Sequence, residues 1–154
     1  MKSTLRPLTP KQKQLQVRKR LLISFRRFLS LRGTGGAVYP YLDMNALELR
    51  ASIESKWLLG MSWDNYGTFW VVDHVVGLAF FDVFNENDMK LCWSYHNLNP
   101  SYYIDNHLKG HNPETAEKLL STMYQSVTVR ALREKIKETA KFFQPYYQRT
   151  ISAQ

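Results

Sequence analysis

The chain has 154 residues, 44% of them apolar, a single cysteine and a net charge of +8. That length suits one compact domain with an appendage, and the apolar share excludes a disordered chain. No apolar run approaches the roughly 18–20 residues that span a bilayer, charges interrupt the first apolar residues as in no signal peptide, and one cysteine (Cys92) excludes an internal disulfide or a cysteine-based zinc knuckle, which together point to a cytoplasmic protein.

Charge is concentrated at the start. Residues 1–32 hold ten Lys and Arg and no acid, so they carry +10 and the remaining 122 residues carry −2. A near-neutral body with a basic arm points to a polyanion, nucleic acid first and an anionic membrane second, or to a solubilising face. Thr9-Pro10 is a capping hydroxyl followed by a proline in the first turn. It opens a predicted helix to about Leu31 with Leu15, Leu22, Phe25 and Leu29 at helical spacing. Gly33-Thr34-Gly35-Gly36 reads as a linker. A second helix is predicted over about Met44 to Leu58, closed by Gly60, and residues 61–68 read as a loop.

Phe69 to about Leu78 has strand composition, Asn85–Tyr95 suits a short helix, and the H-N-L-N-P-S stretch reads as a connector. One or two helical turns are expected over Ile104–Lys109. Asn112-Pro113 repeats the cap signal and opens the longest predicted helix, with a stripe of Ala116, Leu119, Leu120, Met123, Val127, Ala131 and Ile136, ending before Pro145. Trp57, Trp63, Trp70 and Trp93 read as core groups.

No G-x-S-x-G turn, phosphate-binding loop or H-E-x-x-H pair occurs, and Cys92 has no supporting nucleophile motif. What remains is an ordered set: Asp73-His74 inside the most apolar stretch, His96-Asn97, then Asp105-Asn106-His107 and Lys109. A carboxylate and a carboxamide suit a hard divalent cation. A neutral imidazole beside them takes a proton from water near pH 7. Such a set suits phosphodiester hydrolysis with one metal. Asp and His in succession on a strand point to opposite sides unless the strand bends or ends there.

The segments I-E-S-K-W-L-L-G-M-S-W-D-N-Y-G (53–67), V-D-H-V-V-G-L-A-F-F-D (72–82) and Y-H-N-L-N-P-S-Y-Y-I-D-N-H-L-K-G (95–110) resemble the HNH endonuclease family, particularly its phage and mobile-element members. The likeness covers a little over a third of the chain. It implies an α+β protein with a ββα-metal core, flanked here by an N-terminal basic helix and a long C-terminal helix. The expected divisions are 1–36 (basic arm and glycine-rich linker), 37–112 (nuclease core with its preceding helix) and 113–154 (C-terminal helix and tail).

By that resemblance His74 is the general base and Asp73 and Asn106 are the metal ligands. Asn97 stands at the family's central asparagine, which pins the loop between the two strands and helps orient the histidine. Lys109, unless a surface lysine at a helix end, and His107 become DNA contacts; outside the matched region, the charge of the arm adds Arg18, Lys19, Arg20, Arg26 and Arg27 as DNA contacts. The implied cofactor is Mg2+, or Mn2+, and not zinc. The implied partner is double-stranded DNA, with no membrane, and the chain acts as a monomer or weak homodimer. The expected activity is nicking, in a homing-like or interference nuclease; the alternative is an HNH-fold DNA-binding protein without catalysis. Departures from the family pattern are Val71 for a first His, Gly77 for Pro, Asn99 for Gln and Ser101-Tyr102 for Leu-Trp.

Overall fold

The computed structural model describes residues 6–109 and 112–138. Its elements in chain order are α1 (Pro10–Leu29), α2 (Ala46–Glu54), β1 (Trp70–His74), α3 (Glu86–Cys92), β2 (Leu98–Tyr102), α4 (Tyr103–Lys109), α5 (Pro113–Ser121) and α6 (127–138). Single 3₁₀ turns at Tyr39–Tyr41, Trp63–Asn65, Leu78–Phe80 and Tyr95–Asn97 join them. The fold is therefore α+β, helices around a small two-stranded antiparallel sheet. No described helix is long and apolar enough to cross a membrane.

Local signals explain most boundaries. Thr9 and Gln12 form a reciprocal capping box, with Pro10 in the first turn of α1. Asn45 and Glu48 do the same for α2, and Asn85 and Asn112 cap α3 and α5. Each cap satisfies N–H groups that a helix start leaves orphaned.

The buried stripe of α1 differs from the predicted one. Leu21, Phe25, Phe28 and Leu29 are buried, whereas Leu15 is 64% and Leu22 38% exposed. The buried residues of α1 fall within 21–29, with Val17 partly buried against the same core. One apolar cluster runs from Leu21 through Leu49, Trp70, Met89 and Trp93 to Leu120, Leu132 and Ile136. The basic helix therefore belongs to the same core as the sheet.

Nor is Gly33–Gly36 a loose linker. Ser24 Oγ donates to the Gly35 carbonyl, and Val38 N–H donates to that carbonyl at 3.0 Å and to Ser24 Oγ at 3.1 Å. Arg50 Nη1 donates to the Leu29 carbonyl at 2.6 Å, fixing the end of α1 to α2.

β1 pairs with β2 in the register Trp70↔Tyr102, Val72↔Pro100 and His74↔Leu98. The L-N-P-S-Y strand replaces the predicted connector. In a two-stranded ribbon each strand keeps a free edge, which is where a proline without an N–H is tolerated. The predicted long C-terminal helix is instead two, α5 and α6, broken at residues 122–126, where Ser126 Oγ accepts from Val129 N–H at 3.2 Å. Val127 is accordingly 76% exposed, and the buried set is Ala116, Leu120, Val129, Leu132 and Ile136. The expected end before Pro145 lies outside the described residues. A salt bridge of 2.5 Å from Lys135 to Asp88 ties α6 to α3.

Candidate functional site

β1 is buried at both ends: Trp70 is fully buried and His74 is 8% exposed. Trp70 anchors the start by donating from Nε1 to the Ser62 carbonyl at 2.7 Å, inside a ring cluster with Trp57, Trp63 and Tyr66. Arg50 caps that cluster, its guanidinium 3.7 Å from the Trp63 ring centroid. The other end of β1 is the chemically interesting one.

The strand stops at His74 because Asn97 takes over the pairing of the next two residues. Its carbonyl accepts from Val75 N–H at 2.8 Å, and its Oδ1 accepts from Val76 N–H at 2.8 Å. Its Nδ2 donates to the carbonyls of Val76 (3.1 Å) and Cys92 (2.8 Å). Asn97 is fully buried, so all its polar atoms are spent on the chain turn after His74. It is a positioning residue with no access to a ligand. Lys56 holds the same corner, donating from Nζ to the carbonyls of Tyr95 and Leu98, both at 3.1 Å.

The His74 ring stands edge-on to Trp93, centroids 4.6 Å apart and planes at 80°. Trp93 is itself fully buried and packs on Phe25 of α1 at 4.9 Å. Two aromatic layers thus fix the imidazole from behind.

β2 runs directly into α4, and Tyr103 N–H donates to the Phe69 carbonyl at 3.0 Å, which folds α4 back over the ribbon. That return brings Asn106 and His107 to Asp73 and His74. All four line one cleft of about 610 Å³, with Arg26 of α1 and Tyr66 among the other walls. Asp73 and His74 share the cleft despite strand alternation because β1 ends at His74, where the backbone turns. Burial pushes the Tyr66 phenol up to about 12, partly opposed by the Arg26 guanidinium.

The other predicted residues separate. Arg26 alone of the arm's named bases lines this cleft. Arg20 and Arg27 line a second cleft on another side of α1. Lys19 is exposed, and Arg18 is half-buried near Cys92. Successive helical positions rotate by about 100°, so five bases within ten residues do not share one face. The side chain of Lys109 lies outside the described residues.

Among the described residues no three His, Cys, Asp or Glu side chains converge on one point. The donor set in the cleft is a carboxylate and a carboxamide, Asp73 and Asn106. That is an all-oxygen set, which suits a hard cation retaining several waters and does not suit zinc.

Two proteins of Acanthamoeba polyphaga mimivirus, both described only as uncharacterized, are similar to this chain. One is 33% identical over 69 residues, 45% of this chain and 30% of the relative. The other is 42% identical over 40 residues, 26% of this chain and 18% of the relative. The chain thus spans less than a third of the length of either. No family model matches it, and no solved structure matches it significantly.

Sequence reading missed Tyr66, Tyr103 and the proximity of Arg26 to the Asp73–His74 pair. Tyr66 and Tyr103 carry no motif of their own. The link from Arg26 depends on how α1 crosses the sheet.

Proposed function

We propose that this chain is a metal-dependent DNA endonuclease of HNH type that hydrolyses one phosphodiester bond per site and so nicks its substrate. The observation that carries this reading is the shared cleft: Asp73 and His74 from the end of β1, and Asn106 from α4, all line it. The order β1, β2, α4 is also the element order a ββα unit requires.

In this reading His74 takes the proton from the water that attacks phosphorus, its ring held by Trp93. Asp73 and Asn106 would hold a magnesium ion, which supplies charge stabilisation at the phosphate and the leaving oxygen when bound. Asn97 keeps His74 at the strand end. Arg26, across the cleft, meets the phosphate backbone, and the other bases of α1 add an affinity that falls with salt. A viral or mobile-element setting follows from the resemblance, and both similar proteins belong to a virus.

The test is incubation with supercoiled plasmid and magnesium, with EDTA and His74→Ala as controls. Relaxed circles from the wild type alone, in the absence of EDTA, support the reading. A gel shift with no cleavage under any divalent metal would overturn it in favour of a DNA-binding protein without catalysis.

A further inference from the structure

The flank of α1 away from the Asp73–His74 cleft gathers donors without a protein acceptor among the described residues. Arg20 and Arg27 are seven positions apart, two helical turns on one face, and both are exposed. Past the end of α1, Leu31 adopts a left-handed φ of 56°, and Arg32 N–H returns to the Arg27 carbonyl at 2.9 Å. That reversal brings a third guanidinium to the same cleft, about 370 Å³, whose other wall is Gly33-Thr34-Gly35-Gly36.

The loop is held rigidly. Gly35 sits at φ +87°, and a Cβ there would lie 2.9 Å from Phe28 Cδ2 and 3.1 Å from Tyr39 Cβ, so only glycine fits. The hydroxyl of Ser24 and the N–H of Val38 bind its carbonyl side. Its donor side is open. Among the described residues, the backbone N–H groups from Gly33 to Ala37 donate to no protein acceptor, and Arg20, Arg27 and Arg32 enter no ion pair. Successive free N–H groups in a turn form an anion-binding concavity, here with Gly35 and Gly36 at positive φ, and like charges side by side on a helix repel. Three arginines beside such a loop concentrate positive charge and hydrogen-bond donors in one cleft.

The geometry points to this cleft as a binding site for one phosphate group, gripped by the Arg20, Arg27 and Arg32 guanidinium groups and the Gly33–Ala37 amides. The phosphate comes either from a nucleic-acid backbone or from a free phosphate compound. Where the nuclease reading of the other cleft holds, a backbone phosphate fixed here belongs to the same bound duplex as the substrate bond. From the other flank of α1 it would set which phosphodiester reaches His74.

The test uses the full ¹⁵N-labelled chain without divalent metal, titrated separately with inorganic phosphate and with a short DNA duplex. The amide signals of Gly33 to Ala37 are expected to shift and saturate. In the Arg27→Ala/Arg32→Ala double variant the affinity read from those signals should fall at least about tenfold, as loss of charge-assisted hydrogen bonds requires. Saturation by duplex identifies the backbone as the source, and saturation by inorganic phosphate alone identifies a free phosphate compound. No loop shift with either ligand, or an unchanged affinity in the double variant, overturns the proposal. Plasmid cleavage reads the other site separately: no cleavage with loop shifts intact removes the nuclease reading and leaves this one standing.

Discussion

Replacing Asn97 with alanine removes three side-chain hydrogen bonds from a site with no solvent access: Val76 N–H to Oδ1, and Nδ2 to the Val76 and Cys92 carbonyls. Each bond contributes about 1 kcal/mol net, and the orphaned Val76 N–H adds a desolvation cost of about 1–3 kcal/mol. The expected loss is therefore on the order of 4–6 kcal/mol. Domains of this size have about 5–15 kcal/mol of stability. The midpoint of thermal unfolding should fall on the order of 10 °C. Asn97→Asp is the sharper probe, because it keeps the acceptor for Val76 but sets a carboxylate against two carbonyl oxygens. It should destabilise at least as much as alanine. Urea unfolding followed by circular dichroism measures both variants. A loss under about 1 kcal/mol for either would refute the assignment of Asn97 as the pin of the turn after His74.

Other consequences are as direct. Trp93→Ala removes the layer between Phe25 and His74 and should cost about 3–5 kcal/mol by urea denaturation, with Trp93→Phe costing less. Burial pushes the Cys92 thiol well up, reinforced by Asp88 and only partly opposed by Arg18, so a thiol reagent at pH 8 should leave the native chain unmodified and label it at once in urea. Desolvation lowers the pKa of His96, with Asp43 opposing and Lys56 adding to the shift. The unfolded chain then binds a proton more readily than the folded one below the ordinary value of 6.5, so stability should drop as pH falls from 7.5 to 5.5, and His96→Gln should flatten that drop.

Helix starts were the most legible part of the sequence. Thr9-Pro10 and Asn112-Pro113 announce caps that act over three residues and owe nothing to tertiary contacts, whereas the Asn45 cap of α2 went unread inside a helix expected from Met44. The buried face of α1 was misread because Leu15 and Leu22 keep helical spacing with Phe25 and Leu29, and periodicity cannot say how far the body extends along a helix. β2 was hidden by Asn99-Pro100, turn formers drawn into a strand by pairing with β1. The break at residues 122–126 left the apolar stripe of the C-terminal region uninterrupted in sequence, so one long helix was the natural expectation. As for the site, Asp73 and His74 stand out because an acid and an imidazole interrupt an apolar strand. Asn97 and Asn106 belong to the ordered polar set that follows that pair, and their separate roles come from the resemblance. That Arg26 lines the same cleft as Asp73, and Arg20 and Arg27 line another, depends on the roll of α1 on the core.

The most direct test of the account is plasmid nicking by the wild-type chain and by three variants, His74→Ala, Asp73→Ala and Asn106→Ala, each first checked for folding by circular dichroism. The account predicts relaxed circles with magnesium for the wild type, none with EDTA, and a loss of at least about a hundredfold in rate for His74→Ala. Folded His74→Ala protein that nicks at the wild-type rate would contradict it.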